Sequence, residues 1–358
     1  MPPQTTNYEI DFMTVGAGER SGDAIALRVW DNTGQQQVFV IDGGTKETGK
    51  LLVQHILTVY GTNVVNAVIS THPDGDHASG LTEVLENLDV KLLMMHQPWD
   101  HAADIKASFE SDGLTHLGLQ RKIKAELGYA HELKKIADRK KIPIVEPFEG
   151  GQWNGGLFRV LGPSQTYYES LLPQFRDMPE TKEPLGLIPG LIKTATEKLE
   201  MVAEAFNIET LTDGNEHFSA ENNTSTILLF NLGQDKVLFT GDADADALTL
   251  AADYAAGNGI SLTDLKILQV PHHGSKQNVG PTILDRIKAP HAHISVSPGA
   301  APKHPSKKVI NALIRRGARV FTNNAGLSSP ACYRSAGVPA RPGYTDISAH
   351  PFYNEVEV

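Results

Sequence analysis

The residues with the clearest chemical potential stand in one short run, His72-Pro73-Asp74-Gly75-Asp76-His77. Four of its six side chains are imidazoles or carboxylates, which are ligand types for zinc, manganese and iron. In extended backbone, side chains two residues apart point to the same side, so His72, Asp74 and Asp76 are able to converge on one point. A polar loop whose aspartates cap the following helix is the alternative interpretation of this run.

Two further segments end in residues of the same chemical kind. The apolar Val237-Leu238-Phe239 is followed by Thr240-Gly241-Asp242, where a carboxylate has one oxygen for each of two metal ions. The apolar Leu268-Gln269-Val270 is followed by Pro271-His272-His273-Gly274-Ser275. Adjacent side chains of an extended chain point to opposite sides, so we expect one of these histidines to bind metal and the other to face the substrate. Taken alone, Asp242 is equally consistent with a helix cap, and the histidine pair with a structural role.

Each of these three groups follows a segment with the composition of a buried strand. Val64–Ser70, Lys236–Thr240 and Lys266–Val270 are short apolar runs, and helical patterns stand between them. Sites in α/β folds form where strands end, so we expect the three groups to meet at one edge. The other predicted strands are Tyr8–Val15, Ala24–Trp30, Gln37–Ile41, Thr224–Phe230 and Ala292–Val296, and the predicted helices are Glu47–Tyr60, a helix from His77 through Leu81 to Leu88, Ala245–Ala256, Pro281–Lys288 and Ser306–Arg316.

Residues 99–142 and 164–216 differ in composition from the strand-rich sequence around them. The first segment is charged and has a helical pattern, and the second is mixed and contains four prolines, at positions 173, 179, 184 and 189. We interpret both as helical insertions into a single α/β domain that spans residues 1–358.

Composition restricts the protein class and the kind of site. The 358 residues are 40% apolar and 21% charged, as in ordinary globular proteins, and the net charge of −10 argues against a general nucleic-acid coat protein. Cys332 is the only cysteine, so a metal must be held by histidines and carboxylates. The N-terminus lacks the pattern of a signal peptide, and no apolar run approaches the roughly 20 residues of a membrane span. We therefore expect a cytoplasmic protein.

In order and spacing, the three groups resemble the metallo-β-lactamase superfamily, and within it the ComEC-type branch, the hydrolase domain of DNA-uptake competence proteins. Four further pieces support this resemblance. They are Gly22-Asp23-Ala24-Ile25, Ile41-Asp42-Gly43-Gly44, Asn222-Asn223-Thr224-Ser225 and His304-Pro305-Ser306. The resemblance covers residues 8–96 and 221–322. It implies a four-layer αβ/βα sandwich with two divalent metal ions, Zn²⁺ or Mn²⁺, at one edge.

The resemblance also implies a role for each residue. The expected metal ligands are His72 and Asp74 for a first ion, Asp76, His77 and His273 for a second ion, and Asp242 as the bridge. Asp42 is expected to orient ligands. Asp76 is also expected to hold the attacking water, and His272 and His304 to face the substrate and move a proton. The superfamily's usual third histidine of the first ion has no clear counterpart, which leaves Asn222, Asn223 and His217 as candidates.

These implications favour a metal-dependent hydrolase, and above all a phosphodiesterase or nuclease that acts on DNA or another phosphodiester. Two groups of basic residues support a polyanionic substrate, although a charge run is more often a solvated helix face. They are Arg121, Lys122, Lys124, Lys134, Lys135, Arg139, Lys140 and Lys141 in the first insertion, and Lys303, Lys307, Lys308, Arg315, Arg316 and Arg319 around His304.

Two alternative functions stay open. One is a hydrolase of a small phospho-ester or carboxyl ester, and the other is a non-catalytic module that binds a partner. A protein partner from a bacterial multi-gene system is a further expectation. Aromatic residues in the two insertions are candidates for stacking on a base, although packing in the core is their commoner use. They include Trp99, Tyr167 and Tyr168, with Trp153 between the insertions.

Overall fold

Two seven-stranded sheets lie face to face and carry helices on their outer sides, in a computed structural model of the chain. The structure describes residues 7–16, 21–110, 113–182, 201–213, 219–232, 235–297, 304–323, 330–341 and 347–357.

The strands and α-helices are numbered along the chain. The strands are β1 (Asn7–Phe12), β2 (Ala24–Trp30), β3 (Gln36–Gly43), β4 (Val64–Val65), β5 (Ala67–Ile69), β6 (Asp89–Val90), β7 (Leu93–Met94), β8 (Ile144–Val145), β9 (Gln152–Trp153), β10 (Phe158–Gly162), β11 (Met201–Ala203), β12 (Ile227–Leu232), β13 (Asp235–Phe239), β14 (Ile267–Gln269), β15 (His291–Ile294), β16 (Arg319–Thr322), β17 (Ala331–Arg334) and β18 (Glu355–Glu357). The helices are α1 (Lys46–His55), α2 (Gly75–Ala78), α3 (Leu81–Asn87), α4 (Ala102–Ile105), α5 (His116–Glu126), α6 (Gly128–Lys140), α7 (Gln165–Leu171), α8 (Ala220–Asn223), α9 (Ala245–Gly257), α10 (Pro281–Arg286) and α11 (Lys307–Arg315).

The order of strands brings parallel strands together on one side of each sheet, and in the first sheet they extend to the edge strand β8. The first sheet has the order β17-β1-β2-β3-β5-β7-β8, and the second has the order β16-β15-β14-β13-β12-β10-β9. Strands β3, β5 and β7 are parallel, and so are β13, β14, β15 and β16. The carboxyl ends of parallel strands lie at one edge of each sheet, which is where α/β proteins place their sites.

Three separate apolar clusters fill the spaces between four layers. Side chains alternate between the faces of a strand, so Phe39 and Ile41 of β3 point to the other sheet, while Val38 and Val40 point to the helices. Leu248 of α9 belongs to a third cluster, on the outer face of the second sheet. The fold is therefore the four-layer αβ/βα sandwich of the sequence-based prediction.

The predicted strand Val64–Ser70 is divided in two by Asn66. Its first part, β4, pairs with β6, and its second part, β5, enters the first sheet. At the division, the side-chain oxygen of Asn66 accepts a hydrogen bond from the Val38 N–H (2.9 Å), and its own N–H donates to the Val38 carbonyl (2.7 Å). These two bonds hold the chain against β3 where the regular pairing is interrupted.

The helix predicted from His77 to Leu88 is also divided, into α2 and α3. The Gly80 N–H donates to the Gly44 carbonyl (2.8 Å), and a Cβ atom at Gly80 would lie 1.9 Å from the Gly43 oxygen. The backbone at Gly80 therefore touches the end of β3 directly, which only a glycine permits. This contact fixes α2, and with it the metal-type residues of the first group, against the end of the strand.

The two segments predicted as insertions contribute helices to the outer layer of the first sheet. Residues 99–142 form α4, α5 and α6, and the described part of residues 164–216 includes α7 and β11. Trp99 and Tyr168 are buried in the apolar cluster on this side, so they pack in the core and offer no exposed stacking face. Within the described residues, every helix is too short or too polar to cross a membrane.

We predict that His293 of β15 makes the stability of the fold depend on pH. Its Nε2–H donates to Asn323 Oδ1 (2.6 Å), its Nδ1 accepts from the Tyr333 hydroxyl (3.1 Å), and burial lowers its pKa to about 3. The unfolded chain has the ordinary histidine pKa near 6.5 and binds the proton first, so stability falls as the pH drops below about 6.5 toward 3. The loss from this one residue is about 2 kcal/mol at pH 5.

The measurement is the free energy of unfolding by denaturant at pH 7 and at pH 5. His293→Phe, which keeps a ring against Phe12, is expected to reduce the loss between the two pH values by about 2 kcal/mol. The exposed His116→Gln is the control and is expected to lose as much stability as the wild type. An equal loss in His293→Phe and wild type would contradict the assignment.

Candidate metal centre

Four imidazoles face the two carboxylate oxygens of Asp242, at the edge where the parallel strands end. His77 Nε2 and His273 Nε2 lie 3.4 and 3.9 Å from Oδ1. His72 Nε2 and His272 Nε2 both lie 3.9 Å from Oδ2. The three groups predicted to meet at one edge therefore do meet, with Asp242 at their centre.

Hydrogen bonds on the first sheet's side fix the orientation of two of these rings. The Asp42 carboxylate accepts from the Thr71 N–H (2.8 Å), from the Thr71 hydroxyl (2.6 Å) and from His77 Nδ1 (2.9 Å). Because the Thr71 hydroxyl donates to Asp42, it accepts from His72 Nδ1, which is 3.0 Å away. Both histidines thus carry their proton on Nδ1, and the lone pair on each Nε2 faces Asp242.

The second sheet's side fixes the other two rings in the same way. His273 Nδ1 donates to the Ser295 carbonyl, and His272 Nδ1 donates to Asn278 Oδ1, each over 2.9 Å. The amide of Asn278 is itself oriented, because its nitrogen donates to the backbone carbonyl of Asp242 (3.1 Å). All four Nε2 lone pairs therefore converge on the carboxylate, and hydrogen bonds to the opposite ring nitrogens hold them there.

The arrangement fits a divalent metal. Nε2 of His72, Nε2 of His77 and Oδ1 of Asp242 are buried and have no hydrogen-bond partner within the described part of the chain. Lone pairs and carboxylate oxygens that face one another at this distance need a positive charge between them. Ligands about 2.1 Å from a tetrahedral metal are about 3.4 Å apart, close to the separations around Asp242.

The pKa shifts of Asp242 and the surrounding histidines also indicate that this centre favours a positive charge. Burial opposes ionisation of Asp242, yet His77, His272 and His273 hold its pKa well below the ordinary value. Burial likewise opposes a charge on His77, but Asp242 and Asp42 raise its pKa well above the ordinary value. Burial lowers the pKa of His72, and lowers that of His273 to about 4. Without a metal ion, a second proton on His77, at Nε2, therefore takes the position of a cation, and a bound cation would displace it and use the Nε2 lone pair.

The expectation that His272 and His273 point to opposite sides is wrong. It assumed an extended chain, whereas the two residues have left-handed backbone, with φ of 45° and 54°. Gly274 continues this conformation at φ 73°, and the Ser275 N–H closes the turn on the His272 carbonyl (3.0 Å). The turn directs both adjacent imidazoles to Asp242.

The two aspartates of the first group lie in different surroundings. A carboxylate oxygen of Asp76 lies within 4.8 Å of ligand atoms of His77 and His273, on the Oδ1 side of Asp242. Asp74 occupies the cap position of α2, but its side chain makes no capping hydrogen bond there and instead pairs with Arg176. Arg176 Nε also donates to Glu221 (3.0 Å), so Asp74 is connected to the second predicted insertion.

The helix-cap interpretation of Asp242 does not hold, because another residue has that function. Asp244 is the cap of α9, and its carboxylate accepts from the backbone N–H groups of Asp246 (3.0 Å) and Ala247 (2.9 Å). The side chain of Asp242 faces the four imidazoles instead.

The candidates for a third ligand of the first ion differ in their contacts. Asn223 is bonded to Asp244 through both ends of its amide, which makes it a support for the cap of α9. Asn222 lies 3.5 Å from His272 Nδ1, and its oxygen is buried with no hydrogen-bond partner among the described residues. His217 lies outside the described residues. The ring of His304 is stacked at 6.0 Å from the ring of His272, and its side chain is partly exposed.

Sequence reasoning missed three residues at this centre. Asp23 has a ligand atom within 4.8 Å of those of His77 and Asp242, and burial raises its pKa to about 7. Gln269 donates to Asp23 (3.0 Å) and accepts from the Thr240 N–H (2.6 Å), so it holds the turn before Asp242. Asp23 directly precedes β2 and had no role in the sequence-based prediction, whereas Asn278 and Gln269 have no distinctive spacing.

Comparison with known proteins agrees with this geometry. A family model described as the Metallo-beta-lactamase superfamily matches residues 18–297. Among curated protein sequences, none matches the chain.

Solved structures align with the chain at low sequence identity. A Thermotoga maritima protein described as a metallo-beta-lactamase is 10% identical, with a TM-score of 0.34, covering 66% of this chain and 79% of that chain. A metallo-beta-lactamase from Hirschia baltica is 14% identical, with a TM-score of 0.32, covering 79% of this chain and 91% of that chain. The family match extends over most of the sequence and includes the residues around Asp242. The chain belongs to the metallo-beta-lactamase superfamily.

Proposed function

We propose that the chain is a phosphodiesterase or nuclease that uses metal-activated water, with Zn²⁺ or Mn²⁺ on both sides of Asp242. The superfamily consists mostly of metal-dependent hydrolases, which supports the general class. The observation that carries the proposal is the division of four Nε2 atoms between the two oxygens of Asp242. A carboxylate with two nitrogens facing each oxygen is suited to bridge two cations.

The proposed ligands follow from the side of Asp242 on which they lie. His77, His273 and Asp76 would hold the ion at Oδ1. His72 and His272 would hold the ion at Oδ2, so His272 joins the ligands and no longer has the substrate-facing role first expected of it. Asp74 stays a proposed ligand of this ion, and the buried oxygen of Asn222 supplies the candidate for a further one.

Chain residues then have separate tasks in the reaction. Divalent cations at this centre would acidify water and neutralise charge on the ester oxygens. Asp76, which is half-buried beside the Oδ1 side, would hold the attacking water by accepting its hydrogen bond. His304, stacked on His272 and partly exposed, would donate a proton to the leaving oxygen.

The resemblance to the ComEC-type branch supports a nuclease, and a small group of lysines near the centre adds to this support. Lys307 and Lys308 begin α11, three and four residues after His304. Burial and the ammonium of Lys276, which follows the histidine turn, lower the pKa of Lys308. These lysines would attract a polyanion to the edge where the histidines lie.

Other basic residues of the two predicted groups form ion pairs with acidic residues of the chain. Arg315 binds Glu204, and Arg316 binds Glu209 and Asp285. In the first insertion, exposed ion pairs join Lys122 to Glu126, Lys134 to Asp138, Lys135 to Glu132 and Arg139 to Glu86. This pairing favours the second candidate function, a hydrolase of small phospho-esters, because paired cations attract a polymer less strongly.

The decisive experiment counts bound metal and measures cleavage together. Metal content per chain is determined by mass spectrometry after loading with Zn²⁺ or Mn²⁺, and the loaded protein is given bis-p-nitrophenyl phosphate and linear DNA. Two metals per chain with cleavage of both substrates is the expected result. Cleavage of the small diester alone would select the small-ester hydrolase, and a protein without metal or cleavage would refute both.

We predict that Asp242→Ala removes the metal and the activity while the protein stays folded. The side chain lies at the edge of the sheets and is not part of an apolar cluster, so its loss affects the ions first. Diester cleavage is expected to fall by more than about 100-fold. Asp246→Asn, on the exposed start of α9, is the matched control and is expected to keep both. Full metal content and turnover in Asp242→Ala would show that the centre is wrongly assigned.

Asp42→Asn is predicted to weaken metal binding although it removes none of the proposed metal ligands. Asparagine tolerates the left-handed backbone of this position, φ 54°, but its amide no longer accepts from both Thr71 and His77 as a carboxylate does. We expect affinity for Zn²⁺ to fall about 10- to 100-fold in a competition assay with a chelator. Unchanged affinity would mean that the Asp42 bonds do not orient His77.

The double variant Lys307→Ala/Lys308→Ala tests the polymer substrate. We expect it to slow cleavage of linear DNA more than cleavage of bis-p-nitrophenyl phosphate, because only the polymer extends over the start of α11. The matched control is Lys134→Ala/Lys135→Ala on α6, which is expected to slow neither reaction. Equal losses on both substrates would remove these lysines from the nuclease proposal.

A further inference from the structure

A small recess lies beside the metal centre, and His72 is part of its wall. Both predicted insertions contribute to its wall, the first through Ala130 and the second through Tyr168, and Pro98 lies just before the first. The wall also contains His72 and Pro73 of the first metal-type group and Thr71 before them, together with Met95, His96 and Thr224. A group held in this recess is therefore adjacent to a ligand of the proposed first ion.

Two buried polar atoms of the wall lack a partner. Tyr168 is 1% exposed and His96 is 8% exposed, and neither the Tyr168 hydroxyl nor His96 Nδ1 has a hydrogen-bond partner in the described part of the chain. The two rings are stacked at 4.4 Å, with an interplanar angle of 29°. An unsatisfied buried donor or acceptor costs about 1–3 kcal/mol, so a protein seldom keeps two side by side without an occupant.

The protonation of the two side chains indicates which occupant they accept. Burial lowers the pKa of His96 to about 3, so the ring is neutral at physiological pH. Burial raises the pKa of Tyr168 well above its ordinary value, so the hydroxyl keeps its proton. His96 Nε2 lies 3.5 Å from the Thr226 hydroxyl, which itself is directed at the Thr71 carbonyl. The ring therefore carries its proton on Nε2, and Nδ1 is an acceptor beside a hydroxyl donor.

The volume of the recess and the charge of its wall further restrict which chemical group it can hold. The free volume of the recess is about 10 Å³, which is the space of one water-sized group. Among the described residues, the wall contains no Lys, Arg, Asp or Glu, so an anionic phosphate would find no opposite charge on them. A single uncharged hydroxyl, which both donates and accepts a hydrogen bond, matches the volume and both polar atoms.

We propose that this recess binds a hydroxyl group of the substrate next to the ester that the metal centre cleaves, with Tyr168 and His96 as its hydrogen-bond partners. The proposal rests on the proposed phosphodiesterase function. Such a hydroxyl has two sources, the 2′-hydroxyl of ribose in RNA and a free hydroxyl of a small ester such as a glycerol diester. Tyr168 and His96 are then specificity-determining residues of the reaction.

The test compares pairs of substrates that differ by one hydroxyl, in wild type and Tyr168→Phe. One pair is uridylyl-3′,5′-uridine and its 2′-deoxy counterpart, scored by the 5′-phosphate product, which attack by the 2′-hydroxyl does not yield. The other pair is glycerophosphocholine and its analogue without the 2-hydroxyl. We expect wild type to prefer the hydroxylated member of one pair by about 10-fold or more in kcat/KM, and Tyr168→Phe to lose most of this preference. The pair that shows the preference identifies the source.

Bis-p-nitrophenyl phosphate separates this proposal from the one on which it rests. It has no hydroxyl for the recess to bind, so its cleavage by wild type tests the proposed function separately from the recess. If wild type cleaves it but shows no preference within either pair, or if Tyr168→Phe keeps the preference, the recess proposal fails alone. If wild type cleaves no diester, the proposed function fails and the recess proposal fails with it.

A second readout does not involve activity. Because the Tyr168 hydroxyl has no protein partner among the described residues, Tyr168→Phe in the metal-free protein is expected to have a Tm equal to or above that of wild type. The matched control is Tyr60→Phe, whose buried hydroxyl donates to Asp11 Oδ2 (2.7 Å), and its Tm is expected to fall. An equal fall in both variants would show that the Tyr168 hydroxyl is structural and would overturn the proposal.

Discussion

The mutual repulsion of lone pairs around Asp242 is the constraint on which the rest of the centre depends. Four Nε2 atoms and two carboxylate oxygens of Asp242 face one another at 3.4–3.9 Å. The histidine rings are not free to turn away from this arrangement. Each ring is held by a bond from Nδ1, to Asp42, Thr71, Asn278 or the Ser295 carbonyl. The fold thus stabilises an arrangement that is unfavourable until a cation or a proton enters it.

Parts of this centre were predictable because the residues that form it follow strands. The sequence patterns of β5, β13 and β14 were sufficient to predict that His72, His77, Asp242 and His273 meet at one edge, since parallel strands end together. The four-layer sandwich followed from the resemblance and is confirmed by the family match and by the three apolar clusters.

Other parts were not predictable, for physical reasons that differ from case to case. The direction of His272 depends on left-handed backbone, and nothing in a pair of histidines signals that conformation. The partner of Asp74 is Arg176, which is more than 100 residues away and in a segment without a regular pattern. Arg315 and Arg316 form ion pairs with acids that only the tertiary fold brings near. Counting basic residues along the chain therefore overestimated the positive charge available to bind a polyanion.

The position of the ligands at the edges of two different sheets has a consequence for the chain as a whole. His72 and His77 follow β5 of the first sheet, and Asp242, His272 and His273 follow strands of the second. Each sheet alone carries only part of the proposed coordination set, and the Asp242 carboxylate is on the opposite sheet from His72 and His77. An occupied centre would therefore act as a cross-link between the two sheets, in the way that a disulfide joins distant segments, although the chain has a single cysteine.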